Sequence, residues 1–420
     1  MRSMTVAVAV MIVLGLGAVG GPARAQSGFE GEPVFQARDL AAPELLKGPQ
    51  FTVDPSVPVR GMLDRFTVRS KYGVFEAHGF HMLQVRIREV HALAQLDDMS
   101  QTKEFAEAAG KAIARPVASA GNMVVHPVDT IEGLPDGVSR LFGRIELGGK
   151  AIASAASAPG QSDQDRAAAV TQRVGSITAD ALGYEKERRD LARSVGADPY
   201  TTNPVLSKKL TDMAWVAFSG RFVVQAAMSV AVPGSMAMSA VTITNSTVYD
   251  TPPGDLVNNA QAVFSATGAD ASRVAALVKN PQYSLSVLTA LAKGVERLKG
   301  VNGLASVVDF ATAAKTQDET RLVAAAVNML ARYHESVQPI ASVSAPGPIV
   351  GRTAGNTLVI PAPVDYVAWT PRAGGFAQRS DLRAPERVAW LSGQMSPRAR
   401  KEFEARGWKV TENLTIAAER

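Results

Sequence analysis

The alternation of apolar and polar positions divides the chain into stretches of different period. Arg65-Phe66-Thr67-Val68-Arg69 and Gly73-Val74-Phe75-Glu76-Ala77 alternate every second residue, and Ser70-Lys71-Tyr72 lies between them, which predicts a short hairpin. From His81 the period becomes helical. Leu83, Ile87, Val90 and Leu93 form one stripe, with Gln84, Arg86, Arg88 and Glu89 off it. Between 100 and 147 apolar residues recur at three- and four-residue spacing, but Pro116, Pro127 and Pro135 interrupt the stripe. Each proline removes a helical hydrogen bond, so a series of short, kinked amphipathic segments is expected there.

A helix carrying Lys186, Arg188, Arg189 and Arg193 should stop at Gly196, a residue suited to a C-cap. The stretch Asp198-Pro199-Tyr200-Thr201-Thr202-Asn203-Pro204 then predicts a rigid polar turn, with Asn203 as N-cap and Pro204 in the first helical position. From Phe222 to Tyr249 there is no Lys, Arg, Asp or Glu, and Pro233-Gly234 breaks the run, which suggests a buried helical hairpin. Five helical patterns follow, at 255–265, 270–279, 284–299, 304–315 and 318–335, with no fixed repeat. Beyond Pro339, short strands are expected at 348–351, 357–360 and 366–369, with a hairpin turn at 353–356. Helices at 385–391 and 397–405 and a strand from Trp408 complete the pattern.

The fold class these patterns predict is mainly α, a helical bundle or array, with a short N-terminal β-hairpin and a small C-terminal α+β module. The expected divisions are a signal peptide (1–25), an extended linker (26–60), a hairpin with kinked amphipathic helices (61–200), a helical domain with a buried apolar hairpin (201–337) and the α+β module (338–420).

Composition narrows the function. Met1-Arg2-Ser3, an apolar run to Val19 and Ala23-Arg24-Ala25 have the basic tip, apolar centre and small-residue cleavage site of a bacterial secretory signal. The expected location is therefore the periplasm or the exterior, with cleavage after Ala25. Loss of Arg2 and Arg24 lowers the formal charge from +5 to +3. That small charge, without a basic stripe interleaved with aromatics, argues against nucleic acid. No integral membrane span is expected after cleavage. The chain has no cysteine, which excludes disulfides, thiolate nucleophiles and cysteine-ligated metals.

Sites of known chemistry are scarce. His78, His81, His91, His126 and His334 follow no metal-ligand spacing, and no phosphate loop, dinucleotide fingerprint or nucleophile elbow occurs. No metal and no cofactor are implied. Ser100-Gln101-Thr102-Lys103 matches Ser-x-x-Lys, but the companion motifs of acyl-serine enzymes are missing. The candidate ligand-binding residues are polar or aromatic groups in proline-fixed loops: Asp198, Tyr200, Asn203, Tyr249, Asp250 and Asp365. A tyrosine beside an acid in such a loop can present a hydrogen-bonding aromatic at low entropic cost. These features point to an exported cell-envelope protein of non-enzymatic binding or scaffolding type, its partner an envelope protein or a membrane surface. Two alternatives stand beside it: a membrane-docking helical protein using residues 100–147 and 222–249, and a periplasmic hydrolase. A pocket lined jointly by Asp198, Tyr200 and Asp250 would favour the hydrolase.

Overall fold

The computed structural model describes residues 28–114, 183–220 and 246–414. The proposed signal segment and most of the two candidate membrane-active stretches lie outside these described residues.

Residues 34–78 build a six-stranded antiparallel sheet from β1 (Val34–Gln36), β2 (Lys47–Gly48), β3 (Phe51–Val53), β4 (Ser56–Arg60), β5 (Leu63–Ser70) and β6 (Gly73–His78). The long β5 organises it. One edge pairs with β4 near Asp64 and with β3 near Ser70, and the other edge pairs with β6 along its length. In β5 the side chains of Asp64, Phe66 and Val68 share one buried face. Two of them are ordinary core residues, and the third is an acid.

The Phe80–Ser100 helix packs on this face through Leu83, Ile87, Val90 and Leu93, the stripe the sequence predicts. Helices then follow at Lys103–Ala114, residues 183–194 and Pro204–Gly220. Gly196 closes the second of these at φ +65°, and the Asn203 side chain accepts the N–H groups of Val205 and Leu206, as its N-cap role requires. The five patterns between 254 and 337 fold as Pro253–Ser265, Ala271–Lys279, Leu285–Arg297, Ala305–Thr312 and Gln317–Ser336. Asp270, Ser284 and Thr316 cap three of them with side-chain oxygens.

The C-terminal region is a five-stranded mixed sheet. It consists of β7 (Ile340–Ser344), β8 (Val350–Thr353), β9 (Thr357–Ala362), β11 (Glu386–Leu391) and β13 (Trp408–Thr411), in the order β13-β11-β9-β8-β7. The β9, β11 and β13 strands run parallel, crossed by helices Pro371–Ala377 and Pro397–Glu404. The short strands β10 (Tyr366–Val367) and β12 (Gln394–Met395) form a separate parallel pair. The larger sheet is buried on both faces. Val359, Val388 and Trp390 join the main core, where Trp390 meets Tyr333 edge-on, while Leu358, Ile360, Ala389 and Leu391 pack under the crossing helices.

Two multi-stranded sheets, of six and five strands, thus overturn the expectation of a mainly helical bundle or array with a short N-terminal hairpin and a small C-terminal α+β module. Each miss has a physical cause. Strands β1 to β4 span two to five residues, too few for a period of two to register, and their prolines read as linker. The segment 386–391, expected to be a helix, is the parallel strand β11; a strand apolar on both faces has lost its alternation.

The N-terminal arm reaches across to this C-terminal region. The Glu30 N–H donates to the Trp369 carbonyl at 2.8 Å, and its carboxylate accepts the Trp369 N–H at 2.7 Å and the Ser396 hydroxyl at 2.5 Å. Phe29 stacks on Trp369 with ring centroids 6.2 Å apart.

Candidate functional site

Behind the face that meets the sheet, the Phe80–Ser100 helix presents a second, half-buried face. His81, Val85 and Arg88, with Met82 and Glu89 beside them, recur at helical spacing and line a cavity of about 70 Å³ with a mixed polar and apolar wall. The opposite wall is the 196–202 segment with Asp198, Thr201 and Thr202. Ser284 and Val287, at the start of the Leu285–Arg297 helix, and Arg321 complete the lining. Met82, Arg86 and Arg321 also line a larger outer cleft of about 630 Å³.

Glu89 is the hub. Its side chain is buried, and its oxygens accept from Arg86 Nη1 at 2.6 Å, the Thr201 hydroxyl at 2.5 Å and Asn203 Nδ2 at 3.0 Å. A buried carboxylate persists where its oxygens are saturated by charged and neutral donors. The polar turn folds as it does because of these bonds: Asn203 caps the next helix with its oxygen and grips Glu89 with its nitrogen.

Asp198 accepts the Ser286 hydroxyl at 2.6 Å and the Tyr200 N–H at 2.8 Å. Burial outweighs these bonds and pushes its carboxyl up to about 6. Arg321 donates to the Thr202 hydroxyl at 2.7 Å and lies 3.4 Å from Asp318, and burial lowers its pKa from the ordinary arginine range. In the outer cleft, His78 Nδ1 contacts the Asp318 carboxylate directly, and Arg65 stands 3.7 Å from the same acid.

Of the residues singled out in the sequence, Asp198 lines the cavity and Asn203 lines the outer cleft while bonding the Glu89 hub. Tyr200 is buried behind the turn, its phenol pushed up by burial and its hydroxyl without a hydrogen-bond partner. Tyr249 donates its hydroxyl to the Ala197 carbonyl at 2.8 Å, bracing the turn from outside the cavity, and Asp250 is an exposed ion-pair partner of Arg193. Asp198, Tyr200 and Asp250 therefore do not line one pocket. Asp365 lies apart, beside Asp64 and Gly79.

The periodicity missed Arg86, Arg88 and Glu89 as site residues by leaving them off the apolar stripe. A helix buried on two sides hides its second face among polar residues. The signal was present in the charges themselves, since Arg86 and Glu89 stand at an (i, i+3) pairing distance.

Among the described residues no cluster of three metal-ligating side chains occurs, and no helix is long and apolar enough to cross a membrane. Comparison with known protein families, with curated proteins and with solved structures finds no match.

Proposed function

We propose that this chain is an exported cell-envelope binding protein that takes a small polar ligand in the cavity between the Phe80–Ser100 helix and the 196–202 segment. The observation that supports this reading is a cavity walled by the buried carboxylate of Glu89 and the half-buried charges of Asp198 and Arg321, which adjoins an open cleft through Arg86 and Arg321. Burying charges around empty volume costs stability, and proteins retain such arrangements where a ligand completes them.

Two measurements test it. Fractionation of cells expressing the full chain should recover a species shortened at Ala25 outside the cytoplasm. A thermal-shift panel of small polar solutes should give saturable stabilisation that the cavity-filling substitution Val85→Phe removes. Full-length protein confined to the cytoplasm would sink export, and a panel without effect would sink the ligand.

A periplasmic hydrolase is the second reading, favoured by the His78–Asp318 contact in the outer cleft. A carboxylate on Nδ1 fixes the tautomer that leaves Nε2 as a base. Turnover of an ester panel by the wild type, lost in His78→Ala, would establish it; equal turnover by both would dismiss it.

A further inference from the structure

We infer that the cavity beside the Phe80–Ser100 helix recognises the carboxylate of a small, singly charged ligand, and that Arg88 is the group that grips it. The inference rests on the binding reading above and names its ligand class.

The ion pairs around the cavity are unequally shared. Arg86 is matched by Glu89 at 2.6 Å, and Arg321 by Asp318 at 3.4 Å. Arg88 has no carboxylate within ion-pair distance among the described residues; its one recorded hydrogen bond is from Nε to the Gln84 carbonyl at 3.3 Å, within its own helix. The two acids in the lining are already engaged. Glu89 is saturated by Arg86, Thr201 and Asn203, and Asp198 accepts from Ser286 and Tyr200. Burial lowers the Arg88 pKa from its usual range and outweighs the through-space attraction of Tyr249 and Glu89, so its charge is disfavoured where it sits. A guanidinium presents parallel N–H donors that match a carboxylate in a two-point contact.

Size and charge select the ligand. A volume of about 70 Å³ holds several waters or a group the size of acetate. Arg86 is paired within the lining by Glu89, and Arg321 by Asp318 just outside it, so Arg88 is the one lining arginine without an ion-pair partner among the described residues. A monocarboxylate supplies the missing partner of Arg88; a phosphate dianion brings a second negative charge close to Glu89 and Asp198.

The test uses the mature chain, Gln26 to Arg420, in thermal-shift and calorimetric titrations with sodium acetate, inorganic phosphate and a neutral sugar, with sodium chloride matching ionic strength. Acetate should stabilise the protein saturably, and Arg88→Gln should weaken its binding by about tenfold or more. Arg88→Lys, which keeps the charge without the fork, should fall between them, and Lys208→Gln, remote from the cavity, should bind as the wild type does.

A second readout separates a ligand-gripping arginine from a structural one. Without ligand, Arg88→Gln should melt at or above the wild-type temperature, because a partly buried charge without an ion-pair partner has been removed. A large drop in its melting temperature would make Arg88 structural and overturn the inference. Tighter binding of phosphate than of acetate would overturn the ligand class. Stabilisation by the sugar alone, abolished by Val85→Phe, would refute the carboxylate while leaving a binding cavity; no response to any solute would refute both.

Discussion

Asp365 accepts the backbone N–H of Asp64 at 3.0 Å with one carboxylate oxygen, although 301 residues separate the two. Its other oxygen accepts the Phe80 N–H at 3.2 Å. Phe80 opens the long helix, and the residue before it, Gly79, has no side chain to cap with. Asp365 supplies the missing cap from the far end of the chain. Replacing it by Ala should cost about 1–2 kcal/mol of stability, the usual range for a lost cap. It should also bring the Asp64 carboxyl down, since Asp365 contributes repulsion there. Urea denaturation and a carboxyl-resolved NMR titration would check both; an unmoved Asp64 would remove the electrostatic half of the account.

The same pair sets a pH dependence. Asp64 is buried on the core face of β5, and burial, with Asp365 second, pushes its carboxyl up to about 7. The folded protein therefore keeps a proton that the unfolded chain loses near pH 4. Stability is greatest below that value and falls as pH rises towards 7, a change of about 4 kcal/mol at most for a carboxyl raised this far. Asp198, raised to about 6, adds in the same direction. Asp64→Asn should flatten the profile between pH 4 and 7 and exceed the wild type in stability at pH 8. Denaturant midpoints at pH 5, 6.5 and 8 decide it, and parallel profiles for the two proteins would contradict the assignment.

Glu89→Ala should be among the most damaging single changes. It strands the Arg86 guanidinium and removes the acceptor of Thr201 and Asn203. The expected loss is about 3–5 kcal/mol, the range for breaking one side of a buried ion pair. Glu89→Gln keeps the shape and should cost less. Equal losses in the two variants would show that the charge has no part.

Gly79 adopts φ +100°, and a Cβ placed there would come within 3.2 Å of Asp365 Oδ2. Gly79→Ala should cost about 1–3 kcal/mol through backbone strain and pressure on the cap together. Combined with Asp365→Ala, the two losses should add to less than their sum, because the clash is relieved once the carboxylate is gone. Strict additivity in a double-mutant cycle would mean that the two residues do not meet.

Much of the helical half is readable from local chemistry. Asp270, Ser284, Thr316 and Asn203 mark helix starts because capping is a contact between near neighbours in the chain. The β5–β6 hairpin is readable for the same reason, since eight and six alternating residues make a clear pattern. The sheets as wholes are not. Strands such as β2 and β12 contain two residues each, and β11 is recognised as a strand only through β9 and β13 on either side. At the site, the stiffness of the Asp198–Pro204 turn was legible, whereas its partner Glu89 stands 114 residues from Asn203 and no local rule joins them. In sequence Asp365 beside Tyr366 reads as a ligand group; its carboxylate turns inward to cap a helix, a role that depends on a fold-long return of the chain.

The Glu30 anchor has a consequence in time. Its partners, Trp369 and Ser396, lie 339 and 366 residues downstream, so the Glu30 contacts cannot form until nearly the whole chain has been made. Contacts this distant in sequence form late and slowly. The opening contact is thus a closing clasp: the sheet of residues 34–78 has all its strand partners early, and the Glu30 contacts join last.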